Sequence, residues 1–567
     1  MDDLVIRGGT IADGTGGPVR VADVAVSNGI ITRVGGGGRG KREIDASGLL
    51  VTPGFVDIHT HYDGQVAWDA YLTPSSWHGV TTVVFGNCGV GFAPVRAGSV
   101  DGLINIMQGV EDIPEVVMTE GIRFTWESFP EYMDSIDASP HVMDFGAQVP
   151  HAALRYYVMG ERGMDHLAVP TAPEIDTMGR LLEEALRYGA LGFTTSRTFR
   201  HLTADGRSVP SLSAKDAEWS GLAAAMKRAG SGVIEVNSEM GPGEFDFLEG
   251  VAKAAGRPLS LLVMQSSANT EQWRETLRRI HAARAVGVEA TAQVSCRAIG
   301  VLMGLETTMN PFAFHPLWHE MADWTPRRRY ERLLVDAQLR QSLVQDEISA
   351  GHLARIVDNL PRAYVLDRGV DYEPDPARRL AAIAEATGRS VKQIALDEMM
   401  RDEGKGLLLL LYENYHHGDL GAVREMLMDS ATINGLSDAG AHLGVIADGS
   451  APTLMIAHWT RDRTRGPKLP LEFAVHKQTQ ATAWAFGLRD RGVIAPGYKA
   501  DLNVIDYDAL CLTVPEVRYD LPAGGRRIIQ RAKGYVHTFV SGVETLAGDE
   551  HTGALPGRLV RGSQSPH

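Results

Sequence analysis

Two histidines one residue apart close an apolar stretch, Phe55-Val56-Asp57-Ile58-His59-Thr60-His61, directly after Pro53-Gly54. In an extended strand, residues i and i+2 project to the same side. His59 and His61 therefore present paired imidazoles, a donor set suited to zinc, manganese or iron. Two ordinary polar residues is the plainer reading, but an apolar run leading straight into a His-x-His pair favours ligands. Cys88 follows a second apolar run, Val80-Thr81-Thr82-Val83-Val84-Phe85, and precedes Gly89. A buried inert thiol is the common fate of such a cysteine; a metal ligand is the alternative. Asp438 closes Thr432-Ile433-Asn434-Gly435-Leu436-Ser437. A carboxylate there can touch a metal and take a proton from water, or it can cap the next helix. His442, four residues later, can sit beside it.

Arg197, Arg200 and Arg297 follow expected strand ends. Any of them could grip a substrate carboxylate in bidentate fashion, and surface ion pairs explain each equally well. Tyr415-His416-His417 reads as a solvated loop, because no strand end places it near the others.

The elements that must position these residues alternate. Thr171 and Glu174 form a capping box ahead of the stripe Ile175, Met178, Leu181, Leu182, Ala185 and Leu186, which Gly189 stops. Ala190 to Thr195 then reads as a buried strand. Helices are expected over about 214–229, 243–255 and 270–286, each ending at a glycine ahead of an apolar strand: Val233 to Val236, Leu259 to Met264 and Val288 to Val294. Successive strand–helix units imply a parallel sheet with right-handed crossovers. Enough units to close a TIM-type (β/α)8 barrel fit between residues 53 and 489. The stretch at about 300–385 breaks the rhythm and reads as an insertion, a lid or substrate-binding cap.

Residues 1–52 and 490–567 have a different texture, short strands joined by glycine turns, and read as two halves of one small β-sandwich domain. Asn28-Gly29 between apolar segments signals a hairpin. Gly35 to Lys41 nearly spells a phosphate-binding loop. Arg42 stands where Ser or Thr would hold magnesium and no helix follows, so a hairpin tip is expected.

The 567 residues are 44% apolar and 22% charged, as in soluble globular proteins. Net charge is −15 with no basic cluster, which excludes a phosphate-gripping nucleic-acid face. The three cysteines, Cys88, Cys296 and Cys511, make no disulfide framework. The acidic start lacks a signal-peptide pattern, and the longest aliphatic run, Leu407 to Leu411, is too short for a bilayer. A cytoplasmic protein with no membrane partner is expected.

Gly54 to His61, the Gly79-Val80-Thr81-Thr82 strand ending in Asn87-Cys88-Gly89, and Ser437-Asp438 resemble the amidohydrolase superfamily. The branch most similar is the D-aminoacylase, or N-acyl-D-amino-acid deacylase, group. Gly487 to Gly497 and Ala500-Asp501-Leu502 resemble that group's return to its β domain, so the resemblance spans almost the whole chain. It implies metal ligation by His59, His61, Cys88 and Asp438, with Asp438 also the general base. His151, in Val149-Pro150-His151-Ala152-Ala153-Leu154-Arg155, matches a stretch after the third strand. In the D-aminoacylases, strands five and six each end in a metal-binding histidine. Here they end Val236-Asn237-Ser238-Glu239 and Met264-Gln265-Ser266-Ser267. One divalent ion, zinc above all, is therefore expected rather than two.

The mechanism this implies is hydrolysis of a small-molecule amide, an N-acyl amino acid or related acylated amine. Asp438 takes a proton from water acidified by the metal and returns it to the leaving nitrogen. His151 or His442 stabilises the oxyanion. A cyclic amide or imide hydrolase, a metal-dependent lyase or isomerase, and a metal-free binding protein are the competing readings. The oligomeric state stays open, a homo-oligomer included.

Overall fold

A computed structural model describes residues 1–346, 358–366 and 371–566. The architecture is mixed α/β. Three parallel strands, Phe55–Asp57, Val80–Phe85 and Asp144–Ala147, pair in that order. A second parallel sheet takes Val149–Pro150, Gly192–Arg197, Val233–Ser238, Leu259–Leu262, Ala290–Val294 and Thr432–Asn434, also in chain order. The Gln148 N–H donates to the Phe85 carbonyl at 3.0 Å where the first sheet runs into the second. At the opposite edge, the His61 N–H donates to the Ala439 carbonyl at 2.8 Å and the Asp438 N–H to the His59 carbonyl at 3.2 Å. Backbone bonds thus tie the segment after the last parallel strand to the segment after the first.

The expected strand–helix units form, with boundaries shifted by a few residues. The first expected helix is Ala172–Tyr188: the Glu174 carboxylate accepts from the Thr171 N–H at 2.6 Å and from its hydroxyl at 2.9 Å. Met178, Leu182, Ala185 and Leu186 face the core, and Gly189, at φ 120°, ends the helix. Helices Asp216–Ala229, Glu244–Ala255 and Gln272–Ala285 follow. The strands between them are buried on both faces, as sheets covered by crossover helices are.

Both chain ends enter one nine-stranded sheet. Leu50–Pro53 pairs antiparallel with Leu502–Ile505, which pairs with Tyr535–Val540. Ile6, Val24, Val51, Val504 and Phe539 fill its apolar face. The hairpin Arg20–Ser27 to Ile30–Val34 forms, with Asn28 at φ 52° and Gly29 at φ 76°, the double positive φ of a tight β-turn. The Gly35–Lys41 stretch is not a hairpin tip. The strand it leads to, Gly40–Asp45, pairs parallel with Asp2–Ile11, because Arg20–Ser27 already occupies that strand's other edge.

Ile299–Met303, Leu407–Glu413 and Tyr364–Leu366 make a separate antiparallel sheet, with the aliphatic run Leu407 to Leu411 in its middle strand. Met303, Leu333, Leu343, Met399 and Leu408 belong to an apolar cluster of its own. Residues 347–357 and 367–370 of the expected insertion lie outside the described residues. Among those described, no helix is long and apolar enough to cross a membrane.

Candidate metal centre and its cavity

His59 and His61 leave the Phe55–Asp57 strand with their rings 5.4 Å apart, both buried. Cys88 reaches them from the turn after Val80–Phe85, its Sγ 3.5 Å from His59 Nε2. Donor atoms of His59, His61 and Cys88 all lie within 4.8 Å of one another. Two glycines make this approach possible. A Cβ on Gly86 would stand 2.3 Å from the Gln148 carbonyl oxygen, and one on Gly89 would stand 2.7 Å from the Ser196 nitrogen. Cys88 and Asp438 both hold left-handed backbone, φ 55° and 49°, unusual for residues with side chains and a form of strain concentrated at functional sites.

Asp438 Oδ1 lies 3.4 Å from His59 Nε2 and 3.6 Å from His61 Nε2. Nitrogen and oxygen ligands of a tetrahedral centre with bonds of roughly 2.0–2.1 Å stand roughly 3.3 Å apart, so these separations fit donors arranged around a shared divalent cation. The groups behind them fit as well. Gln293 Oε1 lies 2.8 Å from His59 Nδ1, while Gln293 Nε2 donates to Ser260 Oγ at 2.9 Å. Gln293 therefore accepts the Nδ1 proton and leaves Nε2 free for a metal. Glu111, at the end of helix Val100–Glu111, places Oε1 3.3 Å from His61 Nδ1. That contact is close enough for ionic attraction but too poorly directed for a hydrogen bond, and both atoms are otherwise unpartnered.

Electrostatics separate the two histidines. Burial pushes His59 down to about 4, despite the pull of Asp438. Burial also opposes charge on His61, but Glu111 and Asp438 outweigh it and hold His61 up at about 9. Burial raises the Cys88 thiol far above its ordinary range, and Glu235, Glu111 and Asp438 add to this. Burial alone would raise Asp438 too, but His61, His59 and His442 hold it below the usual carboxylate range. A thiol in so anionic a setting ionises only beside a cation.

His61, Cys88, Asp438 and His442 line a cavity of about 380 Å³, to which Met240, Leu262, Met264, Trp273, Ile299 and Leu436 supply apolar wall. Of the three expected arginines, Arg200 alone lines the cavity, bonded to Glu413 and Ser266 at 2.8 Å each and 3.8 Å from Glu239. Arg197 instead pairs with Glu244 and lies over Phe247. Arg297 is buried, with Nη2 2.7 Å from Asp448 and its guanidinium 3.7 Å over Tyr372. His151 is not brought to the cavity either. It is buried between Thr195 Oγ1 at 3.0 Å and Glu218 Oε1 at 2.9 Å, so both ring nitrogens are occupied. His442 is present, with Nε2 3.8 Å from Glu111. His416 and His417 are exposed as expected, whereas Tyr415 is buried against Tyr364.

Three residues that the motifs do not reveal complete the site: Glu111, Gln293 and His201. A glutamate in the last turn of an amphipathic helix opposes the helix dipole, and a glutamine inside an apolar strand needs partners. Those are the signals available for the first two. His201 lies on the loop after Gly192–Arg197 and has no such signal. Burial first, then His442 and His61, push its imidazole down to about 3.

Comparison with known proteins decides the class. A sequence profile described as "Amidohydrolase family" matches residues 42–545. This chain belongs to the amidohydrolase family. It is a hydrolase of carbon–nitrogen bonds other than peptide bonds. This amidohydrolase is 27% identical to an N-acyl-D-glutamate deacylase of Alcaligenes xylosoxydans xylosoxydans over 99% of this chain and 96% of that one. A D-aminoacylase mutant solved in complex with 100 mM CuCl2 superposes with TM-score 0.65 and 25% identity, covering 99% of this chain and all of that one. An N-acyl-D-glutamate deacylase from Bordetella bronchiseptica, solved with zinc and a phosphonate mimic of the reaction's tetrahedral intermediate, has TM-score 0.64, 24% identity and 99% coverage of both chains. The expected amidohydrolase kinship and hydrolase class are thus found.

Proposed function

We propose that this amidohydrolase cleaves the amide of an N-acyl amino acid or a similar acylated amine at the His59/His61/Cys88/Asp438 centre. The observation that carries this reading is the position of Asp438 Oδ1, within 3.6 Å of both imidazoles and open to an apolar-walled cavity. The full-length likeness to an N-acyl-D-glutamate deacylase supports the substrate class. The parallel strands close into a (β/α)8 barrel over residues 53–489. Residues 1–52 and 490–566 form the accessory β domain, and the described residues of the 300–385 insertion cap the mouth.

One divalent ion, zinc in the first instance, is held by His59, His61, Cys88 and Asp438. When bound, it polarises the scissile carbonyl and lowers the pKa of water from about 16 toward about 7. Asp438 accepts the proton of the attacking water and delivers it to the leaving nitrogen. His442, beside Asp438 on the cavity wall, donates to the developing oxyanion. Gln293 and Glu111 hold the two imidazoles in register. Arg200 is the cavity's anchor for a substrate carboxylate, which shares the guanidinium with Glu413 or displaces it.

The test is metal content per chain after purification without added metal or chelator, for wild type and His59→Ala, followed by a screen of N-acyl amino acids. Close to one ion per chain, lost in the variant, with carboxylate and amine released in equal amounts, is the expected result. Wild-type protein that takes up no zinc or manganese would overturn the metal centre. Turnover without free amine would overturn amide hydrolysis.

A further inference from the structure

Among the described residues, Arg200 is the one Arg or Lys that lines the cavity, and two carboxylates on the same wall already face it. Its Nη1 donates to Glu413 Oε1 at 2.8 Å, and its Nε stands 3.8 Å from Glu239 Oε1, within ionic reach but beyond a hydrogen bond. Glu413 is buried, and the Ser267 N–H holds it in place by donating to Oε2 at 2.6 Å. Glu239 is held at one oxygen only. Thr198 Oγ1 donates to its Oε1, and Oε2 has no partner among the described residues. His201, on the same wall, adds no positive charge at neutral pH, because burial, then His442 and His61, push its imidazole down to about 3.

Glu239, Glu413 and Arg200 together carry one net negative charge. A substrate carboxylate bound on Arg200 raises that to two in a cavity with apolar walls, where unbalanced charge is costly. It also takes from Glu413 the guanidinium that Glu413 now shares. A second carboxylate on the substrate would deepen the imbalance. A cationic side chain removes it and gives Glu413 and Oε2 of Glu239 a partner. The spacing suits such a side chain. Asn237 Nδ2 lies 3.6 Å from Cys88 Sγ, and Glu239 follows Asn237 by two residues, a rise of roughly 6.6 Å in extended chain. Leu262, Met264 and Trp273 supply apolar surface on which the methylenes of a lysine or arginine side chain can lie while its charged head reaches the carboxylates.

We propose that Glu239 and Glu413 form the subsite for a cationic side chain, and that the substrates are N-acyl derivatives of basic amino acids. This rests on the proposed function for amide cleavage and for the anchor role of Arg200.

The test compares kcat/KM of the full-length protein, as purified, on both enantiomers of Nα-acetyl-lysine, Nα-acetylarginine, Nα-acetylnorleucine and Nα-acetylglutamate. The lysine and arginine derivatives are expected to exceed the norleucine one by at least about ten-fold, chiefly through KM, and the glutamate derivative is expected to be poorest. Glu239→Gln should erase most of that preference, and Glu239→Lys should turn it toward glutamate. Wild type that cleaves the norleucine or glutamate derivative at least as well as the lysine one overturns the inference while amide hydrolysis stands. A preference unaltered in folded Glu239→Gln overturns it as well. If no member of the set is cleaved, the N-acyl amino acid reading fails, and calorimetric titration of wild type decides the cationic subsite by itself. Nα-acetyl-lysine should then bind at least about ten-fold more tightly than Nα-acetylnorleucine, and equal binding or none overturns the subsite.

Discussion

Gln293 Oε1 sits 2.8 Å from His59 Nδ1, and the opposite end of the same carboxamide is anchored on Ser260 Oγ at 2.9 Å. The glutamine cannot rotate without losing one of the two bonds, so it holds the imidazole in the tautomer that exposes Nε2. Partners of this kind typically contribute 10–100-fold to metal affinity. Gln293→Leu keeps approximate volume and removes the acceptor. Its metal affinity, measured by chelator competition, is expected to fall by about 10–100-fold. Gln293→Glu keeps an acceptor at the same place and should hold metal well. A Leu variant that binds as tightly as wild type would show that Gln293 only fills space.

Asp438 is both ligand and base in the proposed mechanism, and the two roles separate in Asp438→Asn. The carboxamide keeps an oxygen near His59 and His61 but cannot accept the water proton. kcat/KM is expected to drop by about 10²–10⁴-fold, with more of the metal retained than in His59→Ala. A variant that keeps wild-type turnover would remove Asp438 from the chemistry altogether.

The buried His151–Glu218–Arg155 cluster has a structural role. Glu218 bonds both His151 and Arg155, and all three are excluded from solvent. Neutralising the carboxylate leaves an uncompensated guanidinium in the core. Glu218→Gln is expected to cost about 3–5 kcal/mol, as broken buried pairs do, seen as a lowered Tm. Metal content should stay at the wild-type value. Metal loss at a temperature where the variant is still folded would place the cluster in the site after all.

The parts of the site legible in the sequence are those announced by strand-end position together with spacing. His59 and His61 follow one strand, Cys88 the next, Asp438 the last, and neighbouring parallel strands deliver their ends to one face. Strand-end position does not say which way a side chain turns once the strand is over. Arg197 turns onto Phe247 and Arg297 inward onto Tyr372, while Arg200, three residues after Arg197 on the loop that follows its strand, lines the cavity. Glu111 and His201 come from a helix end and a loop, whose approach depends on how the crossovers pack. Glycines and capping residues marked the repeating units well. The Gly35–Lys41 connection escaped because strand pairing in the terminal sheet is non-local, and turn chemistry carries no information about a parallel partner formed earlier in the chain.

Acid stability should report on Glu373, far from the metal ligands in sequence. Arg463 donates to both of its oxygens at 2.9 and 3.0 Å, the Leu420 N–H donates at 2.8 Å, and His458 Nε2 lies 3.2 Å away. Burial by itself would raise this carboxyl, but the bonds from His458 and Arg463 overcome it and pull Glu373 down to about 2. A carboxylate depressed in the folded state stabilises the fold above its unfolded pKa of about 4.3, and that contribution disappears as pH falls toward the folded value. A shift of this size corresponds to on the order of 3 kcal/mol at neutral pH. Wild-type Tm should therefore decline between about pH 4 and pH 2, whereas Glu373→Gln should start lower at pH 7 and lose less over that interval. Parallel Tm curves for the two proteins would mean that Glu373 binds no more tightly to Arg463 in its charged form than in its neutral one, which the bidentate geometry argues against.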